Sequence, residues 1–110
     1  MWTLPISKDR PSLALRIDGH WFRGTLDSGA EVSCFPIYYE RYWNLVEGPP
    51  VQGATGAASS QQVRDPLTWE DEEGHMGSFR PLVLPNLPTI LWGRDVLSQS
   101  GAFIATASPQ

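Results

Sequence analysis

The stretch GTLDSGAEVS, Gly24–Ser33, decides how this chain is read. An apolar approach ends at Leu26, a carboxylate follows at Asp27, and Ser28-Gly29 turns the chain away at once. Asp and Gly are both depleted in strands, so the pattern marks a strand that stops at an acid and bends off. As a bare tripeptide Asp-Ser-Gly is an ordinary turn signal. Its setting makes it more than that, and the setting occurs once. Asp stands at positions 9, 18, 27, 65, 71 and 95, and Asp27 alone is followed by Ser or Thr and then Gly.

Upstream, Leu13–Ile17 alternates apolar and other residues, Asp18-Gly19 follows, and a second β-type run covers His20–Leu26. Asp-Gly between two such runs predicts a hairpin, because a type I′ turn needs positive φ at both central positions. Its second strand delivers the chain to Asp27. Downstream, a short strand is predicted over Glu31–Ile37, ended at or soon after Pro36. Tyr38–Trp43, YYERYW, is aromatic without clean periodicity and reads as a packed loop or turn. Val46–Ser60 has the composition of a linker, yet its place between strand-like segments and its small-residue tip also describe a mobile hairpin. Val63–Trp69 and Met76–Leu84 read as a strand pair around Glu70–His75. A loop at Asn86-Leu87-Pro88 and a short strand at Thr89–Trp92 follow. Gly93-Arg94-Asp95 then opens a helix over Asp95–Ser100, stopped by Gly101, and Ala102–Thr106 is a last β-type run.

The 110 residues fit a single domain, 1–110, of a size at which oligomerisation often supplies missing burial. An apolar content of 41% with five Trp argues for a folded globule, and ten Gly with ten Pro favour many turns and a β-rich fold. The net charge of −4 excludes a basic nucleic-acid footprint. Glu70-Asp71-Glu72-Glu73 reads as a solvated hairpin tip, without the spaced ligands of a calcium loop. Cys34 is the only cysteine, so no internal disulfide forms and a reducing compartment fits; the thiol reads as buried packing. His20, His75 and Cys34 lack metal-ligand spacing, and no G-x-S-x-G elbow marks a serine hydrolase. No apolar run approaches the roughly 18 residues of a membrane span, and no signal-peptide pattern opens the chain. Met1 before Trp2 reads as an initiator added to a segment of something longer.

Apolar-Asp-Ser-Gly-Ala resembles the active-site signature of aspartic proteases. Gly29 lets backbone N–H groups approach the carboxylate, and Ala30 is small enough to face a peptide backbone. Downstream, ILWGRDVL at Ile90–Leu97 resembles the second hallmark of the retroviral aspartic proteases, the retropepsins. DRPSLALRIDGHWFRGTLDSGAEVS, Asp9–Ser33, looks like the family's amino-terminal half. LPNLPTILWGRDVLSQ, Leu84–Gln99, is similar to the enzymes of betaretroviruses of the Mason-Pfizer monkey virus and mouse mammary tumour virus type, and of related endogenous retroviruses. Tyr38–Val63 matches least.

The resemblance implies an all-β, closed β-barrel-like subunit with a flap hairpin at about 46–63, one short C-terminal helix and a C2 homodimer. Asp27 is then the catalytic residue, one half of a dyad completed by a second copy, and Ser28 bonds across that dyad. Gly29 and Glu31 lie along the bound peptide. Glu31 stands where most relatives have Asp, and the acid there pairs with Arg94 and with Arg10 of the other subunit; Asp95 completes Gly-Arg-Asp. The flap tip carries over as Gly53, Ala54 and Thr55 against Gly-Ile-Gly or Gly-Leu-Gly in relatives, and a register moved by one residue would restore Gly56. Such a tip implies modest activity, since a β-branched Thr at positive φ is strained. Leu87, Pro88, Thr89 and Leu91, with Cys34 opposite, carry over as substrate walls. Trp2–Ile6 and Ala102–Thr106, with Trp2, Leu4, Phe103 and Ile104, match the strands that interleave in a four-stranded sheet between subunits, where Pro5 removes one donor. The implied activity is an aspartic endopeptidase cutting viral-type polyproteins between apolar residues. No cofactor, metal, nucleic acid or membrane partner is implied, and the place is the virion or host cytoplasm within a Gag-Pro-type polyprotein. Two alternatives are a weak or inactive retropepsin-fold domain acting in binding or assembly, and a cellular retropepsin-like domain.

Overall fold

In the computed structural model the first hairpin is built as its pattern dictates. β2 (Ser12–Ile17) and β3 (His20–Leu26) pair antiparallel from Ser12–Thr25 to Ile17–His20, and Leu13, Leu15, Ile17, Phe22 and Leu26 are buried. Asp18 and Gly19 have φ of 52° and 81°, the left-handed pair that a type I′ turn needs. The structure describes residues 3–5, 11–53, 56–100 and 103–105.

The remaining elements are β1 (Thr3–Pro5), β4 (Cys34–Pro36), a 3₁₀ helix (Ile37–Tyr42), β5 (Leu45–Glu47), β6 (Val51–Gly53), β7 (Gly56–Ala58), β8 (Gln61–Val63), β9 (Leu67–Asp71), β10 (Met76–Phe79), β11 (Leu82–Leu84), β12 (Ile90–Trp92), α1 (Arg94–Ser100) and β13 (Phe103–Ala105). Nine strands form one sheet in the order β10-β9-β2-β3-β12-β4-β11-β8-β5. β1 with β13, and β6 with β7, make two separate two-stranded sheets. The fold is thus mostly β with one short helix near the C-terminus, the class implied above. No helix of the described residues is long and apolar enough to cross a membrane.

Several local expectations are corrected. The strand expected over Glu31–Ile37 is only β4, because the Ser33 amide goes to the Asp95 side chain, although the Ser33 carbonyl still accepts from the Leu82 N–H of β11. YYERYW, expected as a packed loop or turn, makes up most of the 3₁₀ helix, and its aromatics close one end of the core. Phe35 meets Tyr39, Trp43, Trp92 and Phe22 edge-on at centroid distances of 5.1–5.7 Å, the geometry that ring quadrupoles prefer. The strand pair expected over Val63–Trp69 and Met76–Leu84 is shorter, β9 with β10, and Pro66 and Pro81 separate it from β8 and β11, which pair with each other. The acidic tip is not wholly solvated. Asp71 is buried and accepts hydrogen bonds from the Glu73 and His75 amides, with the His75 ring at 2.8 Å from its other oxygen. α1 starts at Arg94, one residue earlier than expected.

Candidate active site

The position of Asp27 follows from a parallel strand pair. β12 lies beside β3 with Ile90 opposite Gly24 and Trp92 opposite Leu26, so both strands end together. Asp27 leaves one and Gly93 leaves the other, and the two hallmark stretches, far apart in sequence, emerge side by side. The Asp27 N–H donates to the Trp92 carbonyl at 2.9 Å. Trp92 is fully buried and its indole N–H donates to the Leu13 carbonyl at 2.7 Å, which anchors β12 across the first hairpin.

Side chains and backbone then stitch the two loops. The Asp95 carboxylate accepts from the Ser33 amide at 3.0 and 3.2 Å and from its hydroxyl at 2.7 Å. The Ser33 hydroxyl oxygen accepts in turn from the Gly93 N–H at 2.9 Å. The Arg94 amide donates to the Ala30 carbonyl at 2.9 Å. Contact at Gly93 is so close that a Cβ would lie 2.8 Å from the Ala30 carbonyl oxygen, which requires glycine there.

Within this frame Asp27 is half-buried, and one carboxylate oxygen accepts from the Gly29 N–H at 2.9 Å. Its second oxygen and the exposed Ser28 hydroxyl make no hydrogen bond among the described residues. A cleft of about 590 Å³ opens in front of it. Of the residues singled out from sequence, Asp27, Gly29, Ala30, Glu31, Cys34, Leu91 and Arg94 line that cleft together. Leu87, Pro88 and Thr89 lie outside its lining, in the chain leading into β12, and Gly53 ends β6 beyond it. Glu31 and Arg94 share the cleft, but no ion pair joins them among the described residues. Trp2, Arg10, Ala54 and Thr55 lie outside the described residues; Leu4 is in β1, and Phe103 and Ile104 are in β13.

Burial pushes the Cys34 thiol up to about 11, with the charges of Asp95 and then Asp27 adding to it. It is therefore a protonated apolar wall at neutral pH and no nucleophile. Among the described residues no cluster of His, Cys, Asp and Glu could hold a metal ion.

The structure adds Val32, Leu82, Leu84 and the run Pro49–Gln52 to the lining. Leu82 and Leu84 are alternate residues of β11, a signal that was present as β-periodicity. Ser33 could have been found as the hydroxyl facing an acid two residues beyond Gly93. Nothing in the linker-like composition of the proline run pointed to a wall.

A family model described as retroviral aspartyl protease matches residues 7–105. The Gag-Pro polyprotein of sheep pulmonary adenomatosis virus is 38% identical over 113 residues, covering 98% of this chain and 13% of that polyprotein. The Gag-Pro polyproteins of squirrel monkey retrovirus and Mason-Pfizer monkey virus are 43% and 37% identical, each over 89% of this chain and over 10% and 11% of theirs. The chain thus spans about a tenth of the curated relatives it matches. Among solved structures, EIAV protease complexed with the inhibitor HBY-793 superposes with a TM-score of 0.76 at 24% identity, covering 89% of this chain and 94% of that one, a likeness of fold. With its two motifs side by side in that fold, the chain belongs to the retroviral aspartyl protease family.

Proposed function

We propose that this chain is an aspartic endopeptidase that works as a homodimer and cuts viral-type polyproteins between apolar residues, in the virion or host cytoplasm. The observation that carries this reading is the Asp27 carboxylate, held by the Gly29 amide on a loop stitched to Gly93–Asp95, at the edge of a cleft walled by Val32, Cys34, Leu82 and Leu91. Water attack on a peptide carbonyl needs two carboxyl groups that share one proton, since two close carboxylates do not both ionise. The chain has one such loop. A C2 dimer brings Asp27 of two subunits to the axis, with each exposed Ser28 reaching across. The ionised member takes a proton from water as its oxygen adds to the carbonyl carbon. The protonated member gives its proton to the departing amine as the C–N bond breaks. Glu31, which lines the cleft with Arg94, is the acid that pairs with Arg94 of its own subunit and with Arg10 of the other.

One observation favours a second reading, a retropepsin-fold domain with little catalysis that acts in binding or assembly. β1 pairs with β13 inside one chain, in parallel, with Leu4 opposite Ile104. One edge of each strand is thereby taken within its own chain, and only the outer edges are left for a second copy.

The deciding experiment is cleavage of an apolar-flanked peptide at pH about 5, where a coupled pair can hold one proton, together with sedimentation with and without a statin-type peptide inhibitor. The protease reading expects cleavage by the wild-type chain, a loss of about 10³-fold in Asp27→Asn, and a dimer with inhibitor. Equal inertness of both chains alongside a dimer leaves the second reading standing.

A further inference from the structure

The hairpin beside the cleft does not keep one register. β5 against β8 pairs Leu45 with Val63 and Glu47 with Gln61, and the ladder continues to Gly48, whose N–H donates to the Ser60 carbonyl at 3.0 Å. Beyond that point β6 and β7 pair Val51 with Ala58 and Gly53 with Gly56. Pro49 and Pro50 therefore stand against Ser59 alone. Two residues opposite one make a β-bulge. The sequence accounts for it: neither proline has an N–H, so the ladder cannot run through them, and the Pro49 carbonyl must find a donor elsewhere.

Ser60 supplies that donor, its hydroxyl hydrogen-bonding the Pro49 carbonyl. It is 6% exposed between exposed neighbours, and it fills the space beside Gly48, where a Cβ would lie 2.6 Å from its Oγ. The four residues that follow Gly48, from Pro49 to Gln52, all line the cleft with Asp27. A regular strand would turn every second one away; a bulge next to a site re-aims side chains.

We propose that Ser60 is a positioning residue for substrate binding: by holding the Pro49 carbonyl it fixes the bulge, and so sets which side chains of Pro49–Gln52 an extended peptide meets. The proposal rests on the protease reading above. Ser60 touches no reacting atom, so its effect falls on binding and not on bond cleavage.

The test compares the wild-type chain with Ser60→Ala, and with Gly48→Ala, which pushes a methyl group against the Ser60 hydroxyl. Steady-state cleavage of an apolar-flanked peptide gives kcat and KM. Binding of the same peptide to each chain in the Asp27→Asn background gives Kd, and hydrogen exchange reads the Gly48 amide. Both variants are expected to raise KM and Kd about fivefold, the size of one lost neutral hydrogen bond, with kcat within about twofold and faster exchange at Gly48. Faster exchange with unchanged KM and Kd overturns the proposal, as does a fall in kcat at constant KM. If the wild-type chain cuts nothing, the protease reading fails and the Kd comparison still decides Ser60; a peptide that binds none of the chains overturns both.

Discussion

At the scale of single residues, Cys34 shows how a wall of the site constrains its own pH range. Cys34 sits in β4 between Leu91 of β12 and Leu82 of β11, and its buried thiol is pushed up from an ordinary value of 9.0 to about 11. A raised folded-state value means that the native chain holds the proton where the unfolded chain has lost it, between about pH 9 and 11. The contribution is intact below that window and disappears as pH rises through it. Denaturant titrations at pH 8 and pH 11 are therefore expected to show a loss of stability that Cys34→Ala reduces, and alkylation of native Cys34 near pH 8 is expected to be slower than that of the unfolded chain. Sequence alone pointed to buried packing for this thiol, since no base stands beside it in the chain. What it could not supply is that two carboxylates, one of them 61 positions away at Asp95, also oppose its ionisation.

At the scale of elements, the helix after β12 holds the segment that follows Asp27 by one carboxylate. Asp95 takes the Ser33 amide and hydroxyl, and that hydroxyl takes the Gly93 amide, so removing the carboxylate strands both Ser33 donors and frees the hydroxyl that holds Gly93. Asp95→Ala is expected to cost ~2–3 kcal/mol in chemical denaturation, the penalty of unsatisfied buried groups, whereas Asp95→Asn keeps an acceptor and loses less. The element pattern was readable where periodicity or turn chemistry was strong. The Asp18-Gly19 hairpin and the helix end near Ser100 fall within a residue or two of expectation. It failed where a side chain overrode the local pattern. Glu31–Ser33 has strand-like composition, yet the Ser33 amide and hydroxyl are spent on Asp95, and YYERYW winds into a 3₁₀ helix because packing on Phe22 and Phe35 rewards that turn. The bulge at Pro49-Pro50 was not legible: linker-like composition shows neither the change of pairing register nor the hydroxyl that fixes it.

At the scale of the whole molecule, the sheet order places partners from distant parts of the chain at the centre. β3 is flanked by β2, its hairpin mate, and by β12, which pairs Trp92 with Leu26. Without β12 and α1 the Asp27 loop loses its backbone neighbour, its Asp95 anchor and the indole that closes the core against Leu13. A fragment of residues 1–88 is therefore expected to lack a cooperative unfolding transition and dispersed amide signals, even though it contains Asp27 and the whole first hairpin. That dependence has a consequence for synthesis. As the polypeptide emerges from a ribosome, Asp27 precedes the strand that holds it in place by some 65 residues, a span set by the pairing of Leu26 with Trp92. On the protease reading, hydrolytic capacity is thereby postponed until translation has passed the Gly-Arg-Asp turn, and an interrupted product lacks it.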